Sequence, residues 1–237
     1  MGLTLTLQAQ VMAAMGMTLR VVVPPHPLIA HWLTLLRDRT TPYPLYATAM
    51  AELGRWLTYE AVRDWLPQRS VEIESPTAPF QGTLVDPGIP LLAIPVLPAG
   101  LGLWQGGQHV LPNARVAHVA LDSCRVGDPA RWVLDGLPRC IGERVGSLLY
   151  LPQIATGGTA LALLERLQAL GVDGLRLRLV TALTAAPGLA SIAERFPELT
   201  IYTGCIDAEI NERRLPVPGI GDPAERLYGT VDNGSLG

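Results

Sequence analysis

Leu148-Leu149-Tyr150-Leu151-Pro152-Gln153-Ile154-Ala155-Thr156-Gly157-Gly158-Thr159 holds the change of pattern on which the fold turns. An apolar run stops at a proline, a small-residue loop follows, and Thr159 opens an Ala/Leu-rich helical pattern. The succession reads as a strand, a Gly-rich turn and a helix N-terminus. Such a turn presents backbone N–H groups that no helical carbonyl takes up, and the helix dipole adds partial positive charge. The loop at 155–159 therefore suits a phosphate.

Outward from this segment the pattern repeats. Residues 91–97 and 116–121 form short apolar strands, and 123–145 reads as irregular or paired at an edge. The helix opened by Thr159 runs to Leu170 and ends at Gly171. Residues 175–183 are a strand, 189–196 a short helix and 199–202 another strand. Strand and helix alternating from 91 to 202 predict a mostly parallel α/β sheet with helices on both faces. In such sheets ligands bind at the carboxyl ends of the strands, which is where the 155–159 loop falls. Before the sheet, residues 26–38 and 45–65 carry apolar side chains at helical spacing, among them Trp32, Leu53, Trp56, Leu57 and Trp65. Residues 70–90 alternate and are punctuated by Pro and Gly, a β-arm that returns into the core. The tail from Pro216 is loop-rich. The expected organisation is an N-terminal extension over 1–20 followed by one domain over 21–237.

Composition narrows the function. The chain has 237 residues, 49% of them hydrophobic and 16% charged, which excludes global disorder. A net charge of -3 argues against a nucleic-acid binder that relies on a basic surface. All 18 basic residues are arginine, so Schiff-base lysines, lysine bases and P-loop lysines are excluded. Cys124, Cys140 and Cys205 lie far apart without a CxxC, which fits a reducing cytosol better than a zinc site or a disulfide scaffold. His26, His31, His109 and His118 are scattered, so no metal site is expected. No run reaches membrane-spanning length without Pro, Gly or charge. Ser123, Ser147 and Ser191 have no triad context. Asp207, Glu209 and Glu212 read as a solvated loop.

A series of motifs in fixed order gives the chain a resemblance. They are His26-Pro27-Leu28-Ile29, Glu52-Leu53-Gly54-Arg55-Trp56-Leu57-Thr58-Tyr59-Glu60-Ala61, and Ile94-Pro95-Val96-Leu97 with Ala99-Gly100-Leu101-Gly102. Ala155-Thr156-Gly157-Gly158-Thr159, Ala185-Ala186-Pro187-Gly188, Ile201-Tyr202-Thr203 and Ile206-Asp207 with Asn211-Glu212 follow. Pro218-Gly219-Ile220-Gly221-Asp222 and Arg226-Leu227-Tyr228-Gly229-Thr230 close the series. Over residues 26–230 this resembles uracil phosphoribosyltransferase, a type I phosphoribosyltransferase. The resemblance implies that fold and the condensation of uracil with phosphoribosyl diphosphate (PRPP) to UMP and pyrophosphate, with Mg²⁺. It makes 155–159 the phosphate loop and 203–230 the base-binding region. It also implies a homodimer or another protein partner, through the 45–65 helix and the 70–90 arm.

Departures fall where such a reaction needs charge. The family's arginine before Ala-Gly-Leu-Gly is Pro98 here, a second arginine falls on Ser123, and the acid at the strand end falls on Leu151. A family lysine falls on Gly136 and a helix arginine on Ala47. In the base-binding loop Gly221 and Asp222 are kept, but the next residue is Pro223, which has no N–H to give a base, and its upstream partner position is Pro216. Losing one cation aimed at developing charge lowers rate by ~10²-fold or more. On sequence alone the favoured reading is a retained scaffold with no catalytic residues, acting as a binding or assembly subunit. An active transferase is the alternative, with Arg115, Arg125, Arg131 and Arg139 as displaced cations. A sensor of a phosphorylated metabolite held by Thr156 and Thr159 is a third. Trp104 is a candidate plug for the cleft.

Overall fold

The computed structural model describes residues 19–122, 126 and 130–229. Its centre is a parallel sheet built from β1 (Arg20–Val22), β4 (Leu91–Pro95), β5 (Arg115–Val116), β8 (Gly146–Ile154), β9 (Leu177–Ala185) and β10 (Thr200–Thr203). The strand order is β1-β10-β9-β8-β4-β5, and β11 (Ile206–Asp207) continues beside the end of β9. The other strands form three antiparallel pairs. The arm is β2 (Gln68–Glu74) with β3 (Pro79–Val85), β6 (Val119–Leu121) joins β7 (Trp132–Asp135), and β12 (Glu209–Ile210) joins β13 (Pro216–Val217). The helices are α1 (Pro27–Arg37), α2 (Tyr43–Val62), α3 (Gly100–Val110), α4 (Gly158–Ala169), α5 (Ala186–Arg195) and α6 (Pro223–Tyr228).

The central strands are apolar on both faces because both faces are covered. Side chains alternate across a strand, so β8 splits its apolar run between two cores. Leu149 and Leu151 pack with Leu163, Leu164 and Ile192 on the α4/α5 side. Leu148 and Tyr150 pack with Leu53, Leu57, Leu103 and Trp104 on the α2/α3 side. The second core is drawn tight by backbone contact between α2 and α3. A Cβ on Gly106 would stand 1.7 Å from the Ala51 carbonyl oxygen, and one on Gly54 2.1 Å from that of Leu103.

Three local expectations are corrected. The apolar run does not stop at Pro152, because β8 continues to Ile154. Pairing with β4 ends at Pro95↔Tyr150 while pairing with β9 runs on to Ile154↔Thr184, so Pro152 sits where one side of the strand is unpaired. The apolar stretch 116–121 is two strands rather than one, with β5 on the sheet edge and β6 turned off it to meet β7. The tail is not all loop: α6 forms after Asp222, whose Oδ1 accepts from the N–H groups of Ala224 (2.8 Å) and Glu225 (3.2 Å). The expected N-terminal extension falls almost wholly outside the described residues, as do Ser123 and Arg125.

Candidate active site

The overhang of β8 past β4 opens one side of the sheet at its carboxyl end. A cleft of about 270 Å³ lies there, lined by Leu151, Gln153, residues 154–160, Arg213, Arg214, Leu215 and Asp222. All five residues of the expected phosphate loop, Ala155, Thr156, Gly157, Gly158 and Thr159, line it.

The loop geometry is that of an open helix end. Gly157 takes φ +89°, a left-handed conformation that side chains resist, and this N-cap residue has no side chain to cap α4; the Gly158 N–H reaches the Thr156 hydroxyl only at 3.5 Å. The first-turn N–H groups of α4 are thus turned to the cleft with the positive end of the helix dipole behind them. The loop is seated against the start of α5, where a Cβ on Gly188 would come within 2.6 Å of the Ala155 carbonyl oxygen. Leu151 is buried, and Gln153 follows on the same face of the strand. Among the described residues the Gln153 Oε1 is buried without a hydrogen-bond partner.

The second wall comes from Arg213, Arg214, Leu215 and Asp222, within a segment, 207–222, that is braced from elsewhere. Asp207 is not the solvated acid expected: its side chain is 4% exposed and ion-paired with Arg37 at the end of α1. Arg37 Nη2 donates to Asp207 Oδ1 (2.5 Å) and Nη1 donates to Oδ2 (3.1 Å) and to the Gly219 carbonyl (3.0 Å). Asp207 Oδ2 in turn accepts from the Gly219 N–H at 2.8 Å. Arg226 donates to the carbonyls of Ile220 (3.1 Å), Asp38 (2.6 Å) and Leu36, and lies over the Tyr46 ring. The loop 218–222 is therefore strapped at both peptide groups of Gly219 and at Ile220. Burial pushes the Cys205 thiol beside this pair up to about 12, against the opposing pull of Arg37, so it stays protonated and is no nucleophile.

The β12–β13 hairpin carries Arg213, Arg214 and Leu215 of this wall. Asn211 ties its tip: its N–H donates to the Leu215 carbonyl (2.9 Å), its carbonyl accepts from Arg214 (2.8 Å), and its Oδ1 accepts from the Leu215 N–H (3.0 Å). Arg214 has φ 62°, uncommon for a residue with a side chain. Arg213 and Arg214 are exposed and line the cleft, and among the described residues neither is ion-paired. Sequence reasoning passed over them, although they are the one Arg-Arg doublet in the chain and directly follow the Asn211-Glu212 motif.

Other expected groups are elsewhere. Arg115, Arg131 and Arg139 are exposed away from the cleft lining, and Arg131 pairs with Asp122 at 3.2 Å. Trp104 does not plug the cleft; it is 4% exposed and packs on Tyr150 in the α2/α3 core. Pro98, Pro216, Gly221 and Pro223 are outside the lining, and the Pro98 carbonyl accepts from the Tyr228 hydroxyl at 2.9 Å. Asp222 lines the cleft while capping α6.

Comparison with known proteins bears on the whole chain. The family model described as uracil phosphoribosyltransferase matches residues 23–230. A uracil phosphoribosyltransferase of Synechococcus elongatus is 44% identical over 216 residues, which is 91% of this chain and 100% of the relative. One from Nicotiana tabacum is 38% identical over 222 residues, 94% of this chain and 99% of the relative. A solved structure of a protein from Aquifex aeolicus superposes with a TM-score of 0.78 at 29% identity, covering 88% of this chain and 97% of that one. Relatives of this identity over nearly their full length favour the active alternative over the stripped scaffold read from the substitutions. With its parallel sheet and this match along almost its whole described length, the chain belongs to the uracil phosphoribosyltransferase family.

Proposed function

We propose that the protein is an active uracil phosphoribosyltransferase. It joins uracil to PRPP, forming the bond from a ring nitrogen to the anomeric carbon and breaking the bond from that carbon to the diphosphate oxygen. The ring N–H proton and pyrophosphate leave, and UMP remains. The observation that carries this reading is the uncapped 155–159 loop at the strand ends, facing two arginines in one cleft. The N–H groups suit the 5′-phosphate, the guanidinium groups suit the remaining anionic charge, and Gln153 Oε1 offers an acceptor for a sugar hydroxyl. The strapped 218–222 loop supplies a fixed edge for the base, and a fixed edge is what orientation of two reactants requires.

The residues do not fit a protein-held Mg²⁺. Among the described residues no cluster of His, Cys, Asp or Glu can hold a metal, Leu151 stands at the strand end, and Asp222 is engaged as a cap. Mg²⁺ belongs here only with the diphosphate of the substrate, whose oxygens are its usual ligands.

The test is direct: purified protein with uracil, PRPP and Mg²⁺, followed by formation of UMP. Turnover in the ordinary enzyme range supports the proposal, and failure to form UMP at high enzyme concentration sinks it. We also propose self-association through the arm, where Ile73, Phe80, Leu84 and Val85 are exposed apolar side chains. Sedimentation of the full chain and of a Phe80→Glu/Leu84→Glu variant tests it; a monomer in both cases overturns it. No helix among the described residues is long and apolar enough to cross a membrane.

A further inference from the structure

We propose that Arg213 and Arg214 form a clamp on the phosphorylated sugar, supplying the positive charge that the residues at positions 98 and 123 do not. This rests on the transferase reading above. The cleft that holds the phosphate loop is lined by two arginines among the described residues, and both come from the tip of the β12–β13 hairpin. Other arginines near this end of the molecule are committed to structure: Arg37 to Asp207 and Gly219, Arg226 to three carbonyls.

The hairpin fixes the stems of the two side chains and leaves their heads free. Antiparallel pairing of Glu209↔Val217 and Ile210↔Pro216 sets its base. Asn211 closes its tip with three hydrogen bonds, and Arg214 is held with a left-handed backbone. Two adjacent guanidinium forks suit phosphoryl oxygens better than any neutral group in the cleft, since each presents parallel N–H donors as well as charge. The same cleft is lined by the 155–159 loop, whose N–H groups add donors to those of the two arginines. The ligand chemistry is a phosphoryl group of the donor sugar, either its 5′-phosphate or its diphosphate.

The test is R213Q/R214Q in the full chain. At saturating uracil the PRPP KM rises ~10²-fold, with the uracil KM unchanged. R213K/R214K recovers part of the loss, because charge returns without the fork. Ribose 5-phosphate and inorganic pyrophosphate, titrated separately by calorimetry, identify the end that is gripped: its affinity falls in R213Q/R214Q and the other's does not. The melting temperature is unchanged because both side chains are exposed; R213Q alone serves if the double variant misfolds. An unchanged PRPP KM with unchanged affinity for both fragments overturns the clamp and leaves the transferase reading intact. If the wild type forms no UMP, that reading falls, and the fragment titrations still decide the clamp. Binding that is lost in R213Q/R214Q supports it, whereas equal binding or none in the wild type overturns it.

Discussion

The 155–159 loop and the 218–222 loop, which reaches the same cleft through Asp222, are held by different means. The first is a product of near neighbours: a strand end, a left-handed Gly157, and an α4 start that no side chain caps. The second is held from afar. Asp207 is met by Arg37, 170 residues away in the chain, and Ile220 is met by Arg226 and by the Tyr46 hydroxyl at 3.3 Å. The local wall keeps its N–H groups available for a ligand, while the remote wall spends its polar groups on itself. On the proposed function this is a division of labour, in which one wall binds by being unsatisfied and the other orients by being satisfied.

The contrast can be broken at its strongest point. Asp207→Ala leaves Arg37 partly buried without its partner and should lower unfolding free energy by about 3–5 kcal/mol, read by urea denaturation. If the walls are independent, surviving folded protein keeps its affinity for ribose 5-phosphate and loses its response to uracil. Equal loss of both would show one cooperative unit. The complementary change is Gly157→Ala. It forces a side chain into φ +89° with its Cβ 3.0 Å from the Gly188 carbonyl oxygen, at about 1–2 kcal/mol. Phosphate affinity falls and uracil recognition stays.

Smaller effects sharpen the picture. Asp222→Ala removes the α6 cap and should cost about 1 kcal/mol, with Asp222→Asn nearly neutral. A loss of activity far beyond that in Asp222→Asn would mean that the carboxylate also acts on substrate. Least visible at neutral pH is the Cys205 thiol. Its folded value of about 12 exceeds the ordinary 9, so the folded state keeps a proton that the unfolded chain releases above pH 9. Stability from this group is therefore complete below pH 9 and declines as pH rises toward 12. Denaturation at pH 8 and pH 11 checks it: Cys205→Ala shows the smaller difference.

How much was readable in the residues follows the same division. The strands with both faces buried are continuous apolar runs, and the 155–159 loop announces itself by composition. What lies in local pattern was therefore legible, the arm included, although the helix expected over 189–196 begins earlier, at Ala186. Pro152 misled because a proline ends a strand only where its N–H is needed, and β4 has already stopped there. Asp207 looked like a surface acid because its partner is on the first helix. Arg213 and Arg214 were missed for another reason: comparison with the family pattern counts cations that vanish from expected positions, and it is blind to cations gained on a different element. The cation deficit inferred from Pro98 and Ser123 was a statement about sequence positions, whereas a ligand responds to distance.

Arg37 ends the helix that also carries Trp32. On the proposed function, uracil that displaces Gly219 pulls on that helix through Arg37, and the indole should brighten or dim as it arrives. The molecule thus carries its own optical gauge of occupancy, readable by titration without a label once the other four tryptophans are replaced by phenylalanine.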